Sequence, residues 1–81
     1  MSRHRVMLFA RYAELLGSER VEVDLPERAT ADDLINALRQ LPGGALLPPQ
    51  PFVAMNHAQV RAGQRLAPGA EIALLPPLAG G

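Results

Sequence analysis

Hydrophobic and polar side chains alternate in two short runs near the start of the chain, and such alternation predicts β-strands. In the first run, residues 5–11, both faces are apolar, as in a central strand of a sheet. One face carries Val6, Leu8 and Ala10, and the other carries Met7 and Phe9. In the second run, residues 21–25, apolar residues alternate with acidic ones until Pro26 ends the strand. A short helical turn over residues 12–17, ended by Gly17, joins the two strands into a hairpin.

The next pattern is that of one amphipathic helix. Thr30, with Asp33 three residues later, matches the capping box that begins a helix, with Asp in place of the usual Glu. Leucines then recur at helical spacing until Pro42 and Gly43 end the segment. These leucines are Leu34, Leu38 and Leu41, with Ile35 beside them. The spacing predicts a helix that covers one face of a sheet.

The second half of the chain predicts short strands separated by turns. Residues 42–51 hold four prolines and two glycines, which favours an irregular connection over a helix. A strand over 52–56 follows, with a turn at Asn56-His57 and a brief return strand at Gln59-Val60. A type II turn over 67–70, with Gly69 at the position of positive φ, precedes the last strand, 71–75.

The order strand, strand, helix, then strands and turns predicts an α+β fold. One main helix packed across a mixed sheet of four to five strands is the β-grasp arrangement of ubiquitin-like proteins. A ferredoxin-like fold is the alternative, but it needs a second long helix that the pattern does not supply. We therefore expect a β-grasp domain over residues 1–75, followed by a flexible tail over 76–81.

The length, charge and composition of the chain exclude several classes of function. A chain of 81 residues predicts a single domain with little room for a deep active site. Its eight basic and eight acidic residues cancel, which argues against a nucleic-acid partner. The absence of Cys removes disulfides, thiolate nucleophiles and Cys-based metal sites. No apolar run approaches the ~20 residues that span a membrane, and we expect a cytoplasmic protein.

The chain offers no familiar catalytic motif. His4 and His57 have no partner at metal-ligand spacing, and we expect both to be exposed, His4 near a mobile terminus and His57 in a turn. Asp32 and Asp33 are explained as acids at the start of a helix. We therefore expect no metal site, no cofactor bound by this chain and no catalytic site of its own.

The informative segment is the end of the chain, which leaves the last strand through Pro76 and Pro77 and finishes on Leu78, Ala79, Gly80 and Gly81. The prolines hold the backbone extended and prevent it from continuing the sheet. The six residues can span ~20 Å. Because the final residues have almost no side chains, such a tail can thread a narrow channel of another protein.

The terminal carboxylate of Gly81 is the candidate reactive group. A carboxylate has a pKa of ~3.5 and is a poor electrophile when it is ionised. It needs activation, most simply adenylation with ATP and Mg²⁺. Nothing in this chain resembles an ATP site, so the activating machinery is expected to belong to a partner enzyme.

Two segments, 8–17 and 69–81, resemble the molybdopterin synthase small-subunit family. Their sequences are Leu-Phe-Ala-Arg-Tyr-Ala-Glu-Leu-Leu-Gly and Gly-Ala-Glu-Ile-Ala-Leu-Leu-Pro-Pro-Leu-Ala-Gly-Gly. The Pro-Pro-x-x-Gly-Gly ending after a strand is the specific part, since a bare Gly-Gly is shared by all ubiquitin-like carriers. The resemblance extends over essentially the whole chain.

The resemblance implies a sulfur carrier for molybdenum cofactor biosynthesis. An E1-like enzyme would adenylate Gly81, and a persulfide sulfurtransferase would supply sulfur to form a thiocarboxylate. The tail would then enter the large subunit of molybdopterin synthase, within a heterotetramer, and donate sulfur to cyclic pyranopterin monophosphate. The alternatives are a carrier for thiamine or another thio-metabolite, a ubiquitin-like protein modifier, and an interaction domain with an inert tail.

A candidate partner interface follows from the alternation of the strands. Met7, Phe9 and Leu75 are expected on the sheet face away from the helix, where an exposed apolar surface would bind a partner. Alternatively, the loop 42–51 covers these residues.

Overall fold

The computed structural model describes residues 1–48, 51–61 and 63–76 of the chain. Pro77, Leu78, Ala79, Gly80 and Gly81 of the predicted tail lie outside the described residues. The strands are β1 (Ser2–Leu8), β2 (Arg20–Leu25), β3 (Phe52–Met55), β4 (Ala58–Val60) and β5 (Ile72–Leu75). The helices are α1 (Arg11–Leu16) and α2 (Ala31–Arg39), and a 3-10 turn follows at Gly44–Leu46.

The five strands form one mixed sheet in the order β2-β1-β5-β3-β4. β1 and β2 pair antiparallel, as the predicted hairpin requires, and β3 and β4 form a second hairpin. β5 enters between the hairpins, parallel to β1 and antiparallel to β3. This sheet, crossed by one main helix, confirms the predicted α+β, β-grasp architecture.

The core lies between the helices and one face of the sheet, which we call the inner face. The central strands contribute Val6, Leu8, Ile72 and Leu74, each no more than 3% exposed. From α2 come Leu34, Ile35 and Leu38, at the spacing that the sequence predicts. The opposite face of the sheet, the outer face, carries the alternate residues of the same strands.

The predicted capping box at the start of α2 is confirmed. The Asp33 amide donates to Thr30 Oγ1 at 3.3 Å, and the Thr30 amide donates to Asp33 Oδ2 at 2.9 Å. The helix ends at Arg39, three residues before Pro42, because the amides of Gln40 and Leu41 bond to carbonyls only three residues back.

The predicted turns form where their residues permit positive φ. Gly17 closes α1 at a φ of 73°, and Gly69 takes a φ of 77° in the turn before β5. Asn56 and His57 have φ of 52° and 72°, the geometry of a tight hairpin turn between β3 and β4. In the 42–51 connection the 3-10 turn replaces the fully irregular backbone expected there.

Two expectations at the start of the chain are wrong. β1 runs from Ser2 to Leu8, not over 5–11, because its pairing with β2 extends to the partners Ser2 and Leu25. His4 therefore takes an inward position opposite Val23 and is 3% exposed, whereas the sequence predicts an exposed residue. Ala10 is exposed at a φ of 50°, since the chain leaves the sheet there to begin α1.

Candidate functional site

The predicted tail begins at the end of a central strand. Pro76, the one tail residue within the described part of the chain, directly follows Leu75 of β5 and is half-buried. β5 is held on both sides, by β1 and by β3, and its inward residues Ile72 and Leu74 are 0% exposed. The residue before the tail is thus fixed to the most buried part of the domain.

The register of the central strands places apolar residues together on the outer face. Met7 of β1 lies beside Ala73 of β5, which lies beside Ala54 of β3. In the next row, Leu75 lies beside Phe52. We define the outer patch as these five residues. Phe52 is 39% exposed and the other members are half-buried, so the patch is open to a partner.

The outer patch contains two of the three residues that the sequence proposes as an interface. Met7 and Leu75 belong to it, and Phe9 lies one residue beyond the end of β1 and is 41% exposed. Phe52 is an exposed apolar member that the sequence does not single out. Its proximity to Leu75 depends on β3 pairing with β5, and nothing in the local pattern of either strand specifies that pairing.

The described part of the 42–51 connection lies on the helix side of the sheet. An added Cβ at Gly43 would meet the carbonyl oxygen of Leu15 in α1, and one at Gly44 would meet that of Leu38 in α2. The Arg39 guanidinium donates to the carbonyl of Leu47, which is 3% exposed. In residues 42–48 the connection therefore covers the core and leaves the outer patch uncovered.

The other half of the outer face carries paired charges. Arg3 Nε lies 3.2 Å from Asp24 Oδ1, and Arg5 Nε lies 3.3 Å from Glu22 Oε2. These pairs cross between β1 and β2 and are exposed, so each stabilises the fold by less than ~1 kcal/mol. The outer face thus divides into a charged half and an apolar half, and the apolar half adjoins the start of the tail.

The two histidines differ in environment. His57 is exposed in its turn, as the sequence predicts, with Nε2 3.6 Å from Glu71 Oε1. His4 is buried, and its Nδ1 has no hydrogen-bond partner among the described residues. In that same part of the chain, no three side chains of the metal-binding types come together, and no helix is long and apolar enough to cross a membrane.

Tyr12 of α1 is a second buried polar side chain, at 2% exposure. Burial raises the pKa of its phenol above the usual value, against a smaller lowering by the charge of Arg11. No described residue accepts or donates a hydrogen bond at its hydroxyl. Tyr12 belongs to the core on the helix side of the sheet and lies away from the outer patch.

Comparisons with known proteins agree on the type of domain. The model of the ThiS family matches residues 6–81. A molybdopterin synthase sulfur carrier subunit from Drosophila yakuba is 34% identical over 79 residues, which are 94% of this chain and 88% of that protein.

Solved structures give the same fold. The small archaeal modifier protein 1 of H. volcanii superposes with a TM-score of 0.83 at 30% identity, over 96% of this chain and all of that one. A chain from the complex of subunits 1 and 2 of the molybdopterin-converting factor of Helicobacter pylori superposes with a TM-score of 0.68 at 21% identity. That match covers 98% of this chain and 99% of the other.

Proposed function

Because this chain belongs to the ThiS family and is a ubiquitin-like sulfur carrier related to molybdopterin synthase, we propose that it carries sulfur for molybdenum cofactor biosynthesis as a thiocarboxylate on Gly81. The observation that carries the proposal is the attachment of the tail to β5. This strand is buried between two neighbours and ends beside the open outer patch. A partner that binds the patch therefore receives the tail at a fixed point.

The chemistry proceeds on the terminal carboxyl group and needs no active site in this chain. An E1-like partner uses ATP and Mg²⁺ to join the Gly81 carboxylate to AMP, and pyrophosphate leaves. The terminal sulfur of a persulfide on a sulfurtransferase attacks the carbonyl carbon and displaces AMP, which gives an acyl disulfide. A thiol then reduces this disulfide to the thiocarboxylate and is itself oxidised to a disulfide.

Sulfur donation completes the cycle in the large subunit of molybdopterin synthase. The thiocarboxylate sulfur forms a bond to a carbon of cyclic pyranopterin monophosphate while a carbon–oxygen bond at that carbon breaks, and the oxygen leaves as water or as a phosphate oxygen. A water molecule then cleaves the acyl–sulfur bond, which leaves the sulfur on the pterin and restores the Gly81 carboxylate. The outer patch, with its apolar centre and charged border, suits the docking step. The complex of subunits 1 and 2 from Helicobacter pylori is a protein–protein assembly of a similarly folded chain, which supports a large-subunit partner.

The direct test of the thiocarboxylate is intact-mass measurement. Untagged protein is incubated with the E1-like enzyme, ATP, Mg²⁺, a persulfide donor and a thiol. We expect a mass increase equal to the exchange of one oxygen for one sulfur. Deletion of Gly81 should abolish the increase and leave the thermal midpoint unchanged, because the core ends at β5.

A matched glycine variant controls for the deletion. Gly63→Ala removes a glycine from an exposed position where an added Cβ meets nothing within 4 Å, and it should acquire sulfur like the wild type. If the wild type keeps its mass under conditions that thiolate an established carrier, the proposed chemistry is refuted. Co-purification with a thiazole-forming enzyme, rather than with the large subunit, would assign the carrier to thiamine.

Similarity to a modifier protein supports a second candidate function. The small archaeal modifier protein 1 is 30% identical to this chain, compared with 34% for the molybdopterin synthase relative. As a modifier, the same acyl-adenylate would react with a lysine amine of a target protein, form an amide and release AMP. Because this chain has no Lys, it could not form lysine-linked chains of itself. Peptides bearing the last residues of this chain on target lysines would establish the modifier function.

A further inference from the structure

A groove of about 270 Å³ lies on the outer face, where the outer patch meets the charged half. Its lining residues are Arg5, Met7, Arg20, Gly69, Ala70 and Glu71. Gly69 leaves open space, since an added Cβ there would meet nothing within 4 Å. This volume is close to the lower end of the ~300–1,000 Å³ typical of small-molecule sites, and it leaves room for a protein side chain.

The charges around the groove leave one cation without a partner. The Arg5 guanidinium is paired with Glu22 at 3.3 Å, and the Glu71 carboxylate lies 3.6 Å from the His57 imidazole. Arg20 makes no ion pair within the described residues, and these include all eight acidic residues of the chain. Of the two arginines that line this groove, Arg20 is the one without a carboxylate within ion-pair distance among the described residues.

The backbone around Arg20 is already fixed. The Ser18 hydroxyl donates to the Arg20 carbonyl at 2.7 Å, and the Arg20 amide lies 3.2 Å from the same hydroxyl oxygen. Arg20 is also the register partner of Met7 in the β1–β2 ladder. The Arg20 side chain therefore leaves the sheet beside Met7, at the border of the outer patch, and a protein that covers Met7 also comes within reach of Arg20.

We propose that this groove accepts an acidic side chain of the large subunit, whose carboxylate pairs with Arg20 while the neighbouring surface covers the outer patch. This inference rests on the proposed function, because it assumes that partner. A guanidinium that loses water at an interface requires a counter-charge. One carboxylate supplies it, with the two-pronged geometry that arginine favours. Arg20 thereby adds specificity for an acidic partner to an otherwise apolar contact.

The test measures binding of the wild type and of Arg20→Glu to the large subunit of the same organism at low and high salt. We expect Arg20→Glu to weaken binding about tenfold or more at low salt. The loss should shrink as salt screens the like charges. Arg20→Gln, which removes the charge without reversing it, should have a smaller effect in the same direction.

Arg28→Glu is the matched control. It makes the same change in charge at an exposed position beyond the far end of β2, and it should bind within about twofold of the wild type. Replacing the partner's contacting acid with Lys should restore the affinity of Arg20→Glu, as a double-mutant cycle requires.

The outcomes separate this inference from the proposed function. If the wild type does not bind the large subunit, the proposed function fails and the inference fails with it. If the wild type binds and Arg20→Glu binds equally well, only the inference is overturned. Titration with inorganic phosphate and with AMP, followed by amide NMR shifts, tests the groove as a site for small anions. Saturable shifts at its lining residues, with partner binding unaffected by Arg20→Glu, would also overturn the inference.

Discussion

The two faces of the sheet are both apolar at their centre, yet the described residues cover only one of them. On the inner face, Ile72 and Leu74 are 0% exposed beneath the helices. On the outer face, Ala73 and Leu75 of the same strand are half-buried, and Phe52 beside them is 39% exposed. Along β5 the apolar pattern is the same on both faces, so apolar content alone does not distinguish the buried face from the exposed one.

The difference arises because, within residues 1–48, 51–61 and 63–76, every element that covers the sheet lies on one side. α2 and the described part of the 42–51 connection pack over the inner face, and α1 places Tyr12 in the same core. The single main helix of this fold covers one face only. The inner face thus provides the stability of the domain, and the outer face is free to bind a partner.

The largest effect is expected when neighbouring leucines of β5, one on each face of the sheet, are replaced by alanine. Leu74→Ala should lower the free energy of unfolding by ~3 kcal/mol, because it opens a cavity in the core. Leu75→Ala is the matched change on the outer face and should cost less than ~1 kcal/mol. Urea denaturation measures both. The order should reverse in large-subunit binding by correctly folded protein, where Leu75→Ala has the greater effect. Equal losses of stability would show that the outer face is also core.

A second test concerns the position of the 42–51 connection. Gly43 has a φ of 85°, and a Cβ there would lie 1.9 Å from the Leu15 carbonyl oxygen. Gly43→Ala should therefore destabilise the fold by ~2 kcal/mol or more. Gly17→Ala shares the positive φ, at 73°, but meets nothing within 4 Å, so only ~1 kcal/mol is expected.

Thermal and urea unfolding of the two glycine variants compare the sites directly. If Gly43→Ala were no worse than Gly17→Ala, the connection would not be fixed against the helices. It could then reach the outer face, and the division between covered and open faces would be lost.

The prediction with the smallest expected effect concerns the buried Tyr12 hydroxyl and its contribution to the stability of the core. Tyr12→Phe removes a buried hydroxyl that has no partner among the described residues, so stability at pH 7 should stay level or rise by up to ~1 kcal/mol. Burial raises the Tyr12 pKa in the folded state. Above the unfolded value of ~10, the unfolded chain releases this proton while the folded chain keeps it.

Wild-type stability should consequently fall as the pH rises above ~10 and through the folded pKa. Tyr12→Phe should show a shallower fall, as measured by urea unfolding at pH 7, 10 and 11. Parallel curves for the two proteins would mean that Tyr12 is not buried in solution.

The local elements of this chain are predictable from sequence because each has a local cause. The capping box at Thr30 and the turn glycines Gly17 and Gly69 act through neighbouring residues, and the structure confirms them. The β-grasp architecture follows from the order of the elements. The resemblance of the two terminal segments identifies the family that the comparisons confirm.

The errors and omissions depend instead on pairing between distant strands. His4 is buried because β1 extends to pair with the end of β2, and a charged, histidine-containing run gives no local sign of that extension. Phe52 lies beside Leu75 because β3 pairs with β5, and Arg20 lies beside Met7 because of the register between β1 and β2. The extent of the outer patch therefore could not be predicted from alternation alone.

The position of β5 has a consequence for synthesis on the ribosome. The last strand of the domain in chain order fills the centre of the sheet, between the hairpin of β1 and β2 and the hairpin of β3 and β4. Until residues 72–75 leave the exit tunnel, the nascent chain lacks the strand that joins the β1–β2 hairpin, with α2 packed against it, to the β3–β4 hairpin. A product that stops before residue 72 would leave the two hairpins unjoined and the central core residues Ile72 and Leu74 missing. The complete sheet can therefore form only after the strand to which the tail is attached has been synthesised.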